Sequence, residues 1–539
     1  MKAKSYDSSK PKEFLTKKGD VSAKWNFYLQ DIAFQTYVLK KAFPNFSVEP
    51  YLLLPDKRLK CPTDKLNRKF LLKQGDGDRK MMLVTSSLTQ KEREQIILTK
   101  VSVEEAIQVI YNDKDKKSGK TFQETIEEFS SAYKDDRRIW SAIGKDCANC
   151  EFKLTPQEEE QGFKSGFQEC WSNQLGWEKT DFDEPTVLEL WNYRKKDELI
   201  TRGVCKLSDV TEDMLNVKQD GKPGMSTSER QMNQIIKVKT KDNEPEINLP
   251  ELQAEINKLT FPLHFIDFET IQPAIAFHQG RCPYEGIAFQ FSHHQMESDG
   301  SVTHKGEYLN TETFSNYEFV RRLKDQLTQD RGSIFRYSNH ENTYLNYIYN
   351  QLDEDPNPPV DAQELQDFIK DISKSSSRRK KENSWEGERN TIDLLKWVKR
   401  YYYDPRTNGS NSIKYVLPAI LNSSSYLQER YSQPNYGNSN DIKGTNFKNF
   451  QWVQYENNVV KDPYKLLPNL FSNISEKDHT LLTQEDEINN GSAALTAYAK
   501  IQSAKIDIEE RTALRTGLLR YCELDTLAMV MIFEGWKNW

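Results

Sequence analysis

The stretch Phe265-Ile266-Asp267-Phe268-Glu269-Thr270 carries two acids, one residue apart, at the end of a short apolar run. Successive side chains of a strand point to opposite faces, so this pattern predicts a short buried strand that presents Asp267 and Glu269 on the same side. A carboxylate pair there is a clamp for a hard divalent cation, since Mg²⁺ takes oxygen ligands and keeps positions for substrate phosphate oxygens. An isolated Asp-x-Glu is equally a strand end with two solvated acids. The rest of the chain decides between the two.

Outward from this strand, residues 259–539 alternate strand and helix patterns, which is an α/β reading. Gly286 to Gln295 alternates like a strand, and His304 to Leu309 is expected to pair with it as a hairpin. Ser333 to Tyr337 reads as a further strand, Asn342 to Leu352 as a helix, Asn390 to Tyr403 as ordered, Ser412 to Leu421 as a buried helix and Ile506 to Trp536 as the final helix. Asp371 to Arg389 is polar and basic and is expected to be a mobile loop; within it Arg378 to Lys381 could meet phosphates or be solvated. Asn422 to Asn449, rich in Ser, Asn, Tyr and Gly, reads as a surface insertion.

Upstream, Phe27 to Ala42 has the spacing of an amphipathic helix, and Val48 to Pro55 is strand-like. A polar stretch from Asp209 to Pro250 suggests a linker. These features divide the chain into residues 1–180, a helical and polar linker over 181–258, and 259–539. A length of 539 residues fits two or three domains. With 75 Lys and Arg against 81 Asp and Glu, the net charge of −6 neither requires nor excludes nucleic acid, because a groove needs only a local basic lining. No apolar run has the length of a membrane helix, and the first residues lack the apolar core of a secretion signal, so a cytoplasmic protein without a membrane partner is expected. Seven cysteines do not make a disulfide framework, which leaves packed thiols or a metal or cluster site.

Three further positions join the strand pair. Glu341 begins a helix after a later strand, and Tyr521 and Asp525, four apart in the last helix, share one face. This order resembles the DEDD superfamily, the DnaQ-like 3′–5′ exonucleases with an RNase H-like mixed sheet flanked by helices. Asp267, Glu269, Tyr521 and Asp525 are similar to the first and last motifs of its DEDDy branch. The resemblance implies two Mg²⁺ or Mn²⁺ ions per site, with Asp267 bridging both, Glu269 and Asp525 holding the first, and Tyr521 orienting the attacking water. Glu341 stands where the superfamily has Asp and is longer by one methylene. Asp393 reads as a helix N-terminal acid, with a supporting carboxylate as the alternative.

A resemblance over a longer span lies in PLHFIDFET, RCPYEGIAFQFS, GSNSIKYVLPAI and LLRYCELDTLAM, which are similar to a bacterial family of uncharacterised nucleases. In that family the exonuclease domain follows a RecB-like PD-(D/E)XK module with an iron-sulfur cluster, which implies a partial PD-(D/E)XK-like α/β module in the first part of this chain. Gln35 matches the module's helix glutamine and Lys2 its lysine, while the preceding acids would have to lie before Met1, so the chain resembles a member lacking its first part. Cys147, Cys150 and Cys170 match the three late cysteines of a [4Fe-4S] cluster, a spacing that also suits zinc. The early fourth is not visible; Cys61 lies after the module's helix, so the cluster is expected to be incomplete. Cys205, Cys282 and Cys522 read as packed thiols, His293 and His294 as alternating faces of a strand with one of them a core or surface residue without a role, and His340 as a residue to watch beside Glu341. The implied substrate is single-stranded DNA or RNA ends. The alternative is a catalytically silent nucleic-acid-binding or assembly module of a defence or repair system.

Overall fold

The computed structural model describes residues 4–10, 13–74, 80–84, 86–115, 118–314, 316–375, 384–438, 441–469, 488–502, 506 and 508–539. Lys2 and the basic run from Arg378 to Lys381 lie outside the described residues. The chain is a mixed α/β protein that packs as two compact units. One comprises residues 1–141, 272–286 and 502–504, and the other 142–271, 287–501 and 505–539. The division expected from sequence has three stretches; by packing, residues 142–258 belong to the same unit as the 263–271 strand.

The larger unit is built on a five-stranded mixed sheet. Its strands are β1 (Leu263–Ile271), β2 (Ile287–Met296), β3 (Val302–Leu309), β4 (Ile334–Arg336) and β5 (Ile392–Asp393). The spatial order is β5-β4-β1-β2-β3. β2 runs antiparallel to both β1 and β3, while β4 is parallel to β1 and to β5. β2 is buried at every position, as expected of a strand covered on both faces.

Alternation along β1 sorts its side chains. Ile266 and Phe268 face a core built with α1 (Asn316–Leu327), α2 (His340–Glu354) and α3 (Ala362–Ile372). Phe265 faces the opposite way, packing its ring edge-on 5.9 Å from Phe533 of α7 (Ile508–Lys537). Asp267, two residues on, points to the same side. From Tyr521 to Trp536 every residue of α7 is buried, because the helix lies between the sheet and the flanking helices α5 (Ile413–Ser423) and α6 (Gly491–Ile501). At Gly535 an added Cβ would come within 2.8 Å of Ile420 Cδ1 and 2.9 Å of Leu427 Cδ1, so any larger residue there must push aside those two side-chain ends.

Three loop expectations are corrected. Within the 422–449 stretch Tyr431, Tyr436 and Ile442 are fully buried, because their apolar rings and side chains fill the space over α7 and the sheet edge instead of running over the surface. Within 209–250 lies a helix, Thr227–Thr240, whose Arg230 is buried and bonds Asn411 at 2.6 Å. The ends of the 371–389 stretch are ordered: Lys374–Ser375 pairs with Trp385–Glu386, and Arg389 is buried, donating to Leu327 O at 2.6 Å.

In the smaller unit, the helix Asn26–Ala42 buries Leu29 and Ala33 against Leu54, Ile107 and Ile110. Its sheet partner is an antiparallel ribbon of Tyr51–Pro55 with Leu98–Ser102. Gln35 is exposed on this helix and donates to Asp31 at 3.0 Å. Among the described residues no helix is long and apolar enough to cross a membrane.

Candidate active site

The second half of β1 carries Asp267, Phe268 and Glu269, and a bulge between Glu269 and Thr270 interrupts its pairing with β2 just there. Bulges re-aim side chains locally, and this one sits beside the two acids. From α7, Asp525 reaches the same space. Ligand oxygens of Asp267, Glu269 and Asp525 all lie within 4.8 Å of one another. Glu341, in the first turn of α2, is 1% exposed, and its charge and that of Asp267 act on one another. One of its oxygens, Oε2, is buried without a hydrogen-bond partner.

Four carboxylates in a water-poor space repel one another. Burial and the Asp525 charge push Asp267 up to about 8. Burial and the neighbouring charges of Asp267 and Asp525 raise Glu269 well above the usual carboxylate range, and burial together with Asp267 does the same to Glu341. Asp525 rises less, to about 6, because Tyr464 and Tyr521 donate hydrogen bonds to it and Lys414 is close. Such a cluster calls for positive charge, and an orphaned carboxylate oxygen calls for a ligand. Both requirements fit a divalent cation taking oxygen donors.

Tyr521 is 3% exposed, and burial beside the carboxylates raises its phenol well above 10. The phenol therefore stays protonated and acts as a hydrogen-bond donor, not as a base. Cys522 packs its sulfur 3.7 Å from Asp267 Oδ2. Asp393 sits at the N-terminus of α4 (Leu394–Tyr401) but makes no side-chain cap bond. It accepts instead from the Ser338 peptide N at 3.1 Å and pairs with Arg336 at 3.5 Å. Those bonds fix the chain just before α2, and hence where Glu341 starts. His340 bonds Thr270 Oγ1 at 3.0 Å, beside but outside the carboxylate set.

Two residues of the site carried no motif. Tyr464, in a turn at Pro463–Leu466, donates to Asp525 Oδ1 at 2.5 Å. Lys414, in the first turn of α5, places its ammonium 4.8 Å from the Tyr464 ring centre and 4.9 Å from that of Tyr521. A lone lysine in an apolar helical pattern was the available signal.

His264, His293 and His304 build structure. His264 bridges Asp330 and His293, whose second nitrogen meets Gln326, and burial lowers the pKa of both rings. His304, Glu307 and Glu523 are a second set of ligand-type atoms within 4.8 Å. Glu523, however, accepts from Tyr436, the Thr445 and Asn446 peptide N–H groups and the Asn446 side chain. Both ring nitrogens of His304 are also engaged, by Ser292 and Thr445. This set is a satisfied buried network that ties α7 to β2 and β3.

Cys147, Cys150 and Cys170 are half-buried around one small core, formed with Phe167 and Trp171, that also holds buried Cys205. No three of these sulfurs lie within 4.8 Å of one another. Cys61 belongs to the smaller unit, where its thiol meets Thr63 O and Ala276 O.

Neither the curated proteins nor the solved structures give a match to the chain. A family model described as a domain of unknown function, DUF2779, matches residues 264–412, the stretch from β1 to the residues just before α5, so this part of the chain is similar to that family.

Proposed function

We propose that the larger unit is a metal-dependent 3′–5′ exonuclease of the DEDDy kind, acting on single-stranded DNA or RNA ends. The observation that carries this reading is the convergence of Asp267, Glu269 and Asp525, from one strand and one helix, in a buried space, with buried Glu341 close enough for its charge to act on Asp267 and a protonated tyrosine beside them. The strand order β5-β4-β1-β2-β3 with β2 reversed supports the RNase H-like fold that the DEDDy resemblance implies. Asp267, Glu269, Asp525 and Glu341 would hold Mg²⁺ or Mn²⁺ through their carboxylate oxygens. When bound, the ions lower the pKa of a coordinated water and stabilise the leaving oxygen. Tyr521 holds the water in line by its phenolic O–H. The water oxygen bonds to phosphorus, its proton passes to solvent, and the P–O3′ bond breaks. The 3′ oxygen leaves with the electron pair and takes up a proton, releasing a nucleoside 5′-monophosphate.

The test is shortening of 5′-labelled single-stranded DNA and RNA with Mn²⁺ by the wild type and Asp267→Asn in parallel. A one-nucleotide ladder from the wild type alone is expected. Equal shortening by both proteins, or none by either, overturns the reading, and the second result favours the silent binding module.

A further inference from the structure

Resting on that exonuclease reading, we propose that Lys414 is a catalytic residue that contacts the scissile phosphate, giving its charge to the non-bridging oxygens. The side chain lies half-buried with its ammonium between the rings of Tyr464 and Tyr521, both of which reach Asp525. Cation–π contacts of this kind fix a lysine that would otherwise swing freely on four methylenes. One N–H is given to Asn489 O at 2.7 Å. The charges it feels are Asp525, Glu269, Asp462 and Asp267, yet it forms no ion pair with any of them among the described residues. The ammonium is thus held beside the carboxylate set without closing onto it.

Charge balance says what belongs in the gap. Four carboxylates balance two divalent cations, so the Lys414 ammonium is left as one uncompensated positive charge beside that neutral group. A phosphodiester supplies one negative charge, which Lys414 matches. Lysine is a point-charge phosphate binder, and as the charge on phosphorus oxygens redistributes in the transition state a fixed ammonium there stabilises it. As a mere counter-ion of the metal-free carboxylates, Lys414 would instead oppose metal binding and contribute nothing to turnover.

The experiment compares Lys414→Met and Lys414→Arg with the wild type in the Mn²⁺-dependent shortening assay, alongside Mn²⁺ titration and binding of a nucleoside 5′-monophosphate in Mn²⁺. Expected for Lys414→Met is a kcat lower by about 100-fold, the scale of one lost transition-state contact. Monophosphate binding should weaken about tenfold while Mn²⁺ binding and melting temperature are kept, and Lys414→Arg should recover part of both losses. Wild-type kcat and monophosphate affinity in Lys414→Met, with the wild type active, overturn the assignment and leave the exonuclease reading standing. An inactive wild type overturns that reading and this one with it.

Discussion

Tyr464 donates its phenolic hydrogen to Asp525 Oδ1 at 2.5 Å, so a turn far from any motif holds one of the four clustered carboxylates. The phenol is buried, and burial with the Asp525 charge raises it well above 10, which keeps it a donor throughout the working pH range.

Tyr464→Phe removes that donor and leaves Asp525 less well solvated. In metal-free protein the substitution is expected to cost about 1.5–3 kcal/mol, the worth of a hydrogen bond to a charged group. In saturating Mn²⁺ the loss should shrink, because the ion takes over as partner of the carboxylate. Urea unfolding with and without Mn²⁺ measures both numbers. An equal cost in the two conditions would remove Asp525 from the metal set.

The raised carboxyls make stability depend on pH. Asp267, pushed up to about 8, and Asp525, up to about 6, are protonated in the fold at pH values where they ionise in the unfolded chain. Stability from such groups is complete below about pH 4 and is lost as pH rises through the folded values. The buried rings of His264, His293, His294 and His304, held below their usual range by burial, act the other way: their stability is present above about pH 6.5 and is lost as pH falls. The melting temperature in EDTA should therefore peak near pH 6.5 and decline to pH 8.5, whereas Asp267→Asn should flatten the decline. A melting temperature that is level or climbs from pH 6.5 to 8.5 in the wild type contradicts the carboxyl shifts.

Glu523 illustrates the opposite kind of buried acid. It receives four hydrogen bonds, two from peptide N–H groups at 2.9 and 2.8 Å, and so is already satisfied. Glu523→Ala strands those donors and is expected to destabilise the protein by about 3–5 kcal/mol. Mn²⁺ stoichiometry should not change. A variant of wild-type stability that binds less Mn²⁺ would make the His304, Glu307 and Glu523 set a metal site after all.

What could be read from the sequence had a period. Alternation at 265–270 placed two acids on one strand face, and the spacing of Tyr521 and Asp525 placed both on one helix face. Glu341 was found because it opens a helix after a strand, and there it is buried 1% exposed. Tyr464 and Lys414 had no such signal, since their positions follow from the path of a long connection and from the start of a helix, both set by tertiary packing. Asp393 was expected as a helix cap, but its oxygens bond the Ser338 peptide and Arg336, a partnership across two parallel strands that local sequence does not encode. The 422–449 stretch misled by composition: Ser, Asn and Gly mark turns, but the tyrosines between them, Tyr431 and Tyr436, bond Glu534 and Glu523 in the interior. Cys205 was read as a separate thiol because its distance in sequence hides a core shared with Cys147, Cys150 and Cys170.

The most direct test is calorimetric titration of Mn²⁺ into EDTA-stripped wild type, Asp267→Asn and Asp525→Asn at pH 7.5. The wild type should bind about two ions per chain, as a two-metal site requires. Asp267→Asn, which removes the carboxylate proposed to be shared by both ions, should bind neither tightly, and Asp525→Asn should lose one. Wild-type protein that takes up no Mn²⁺, or an Asp267→Asn titration superimposable on it, would contradict a metal site at the end of β1.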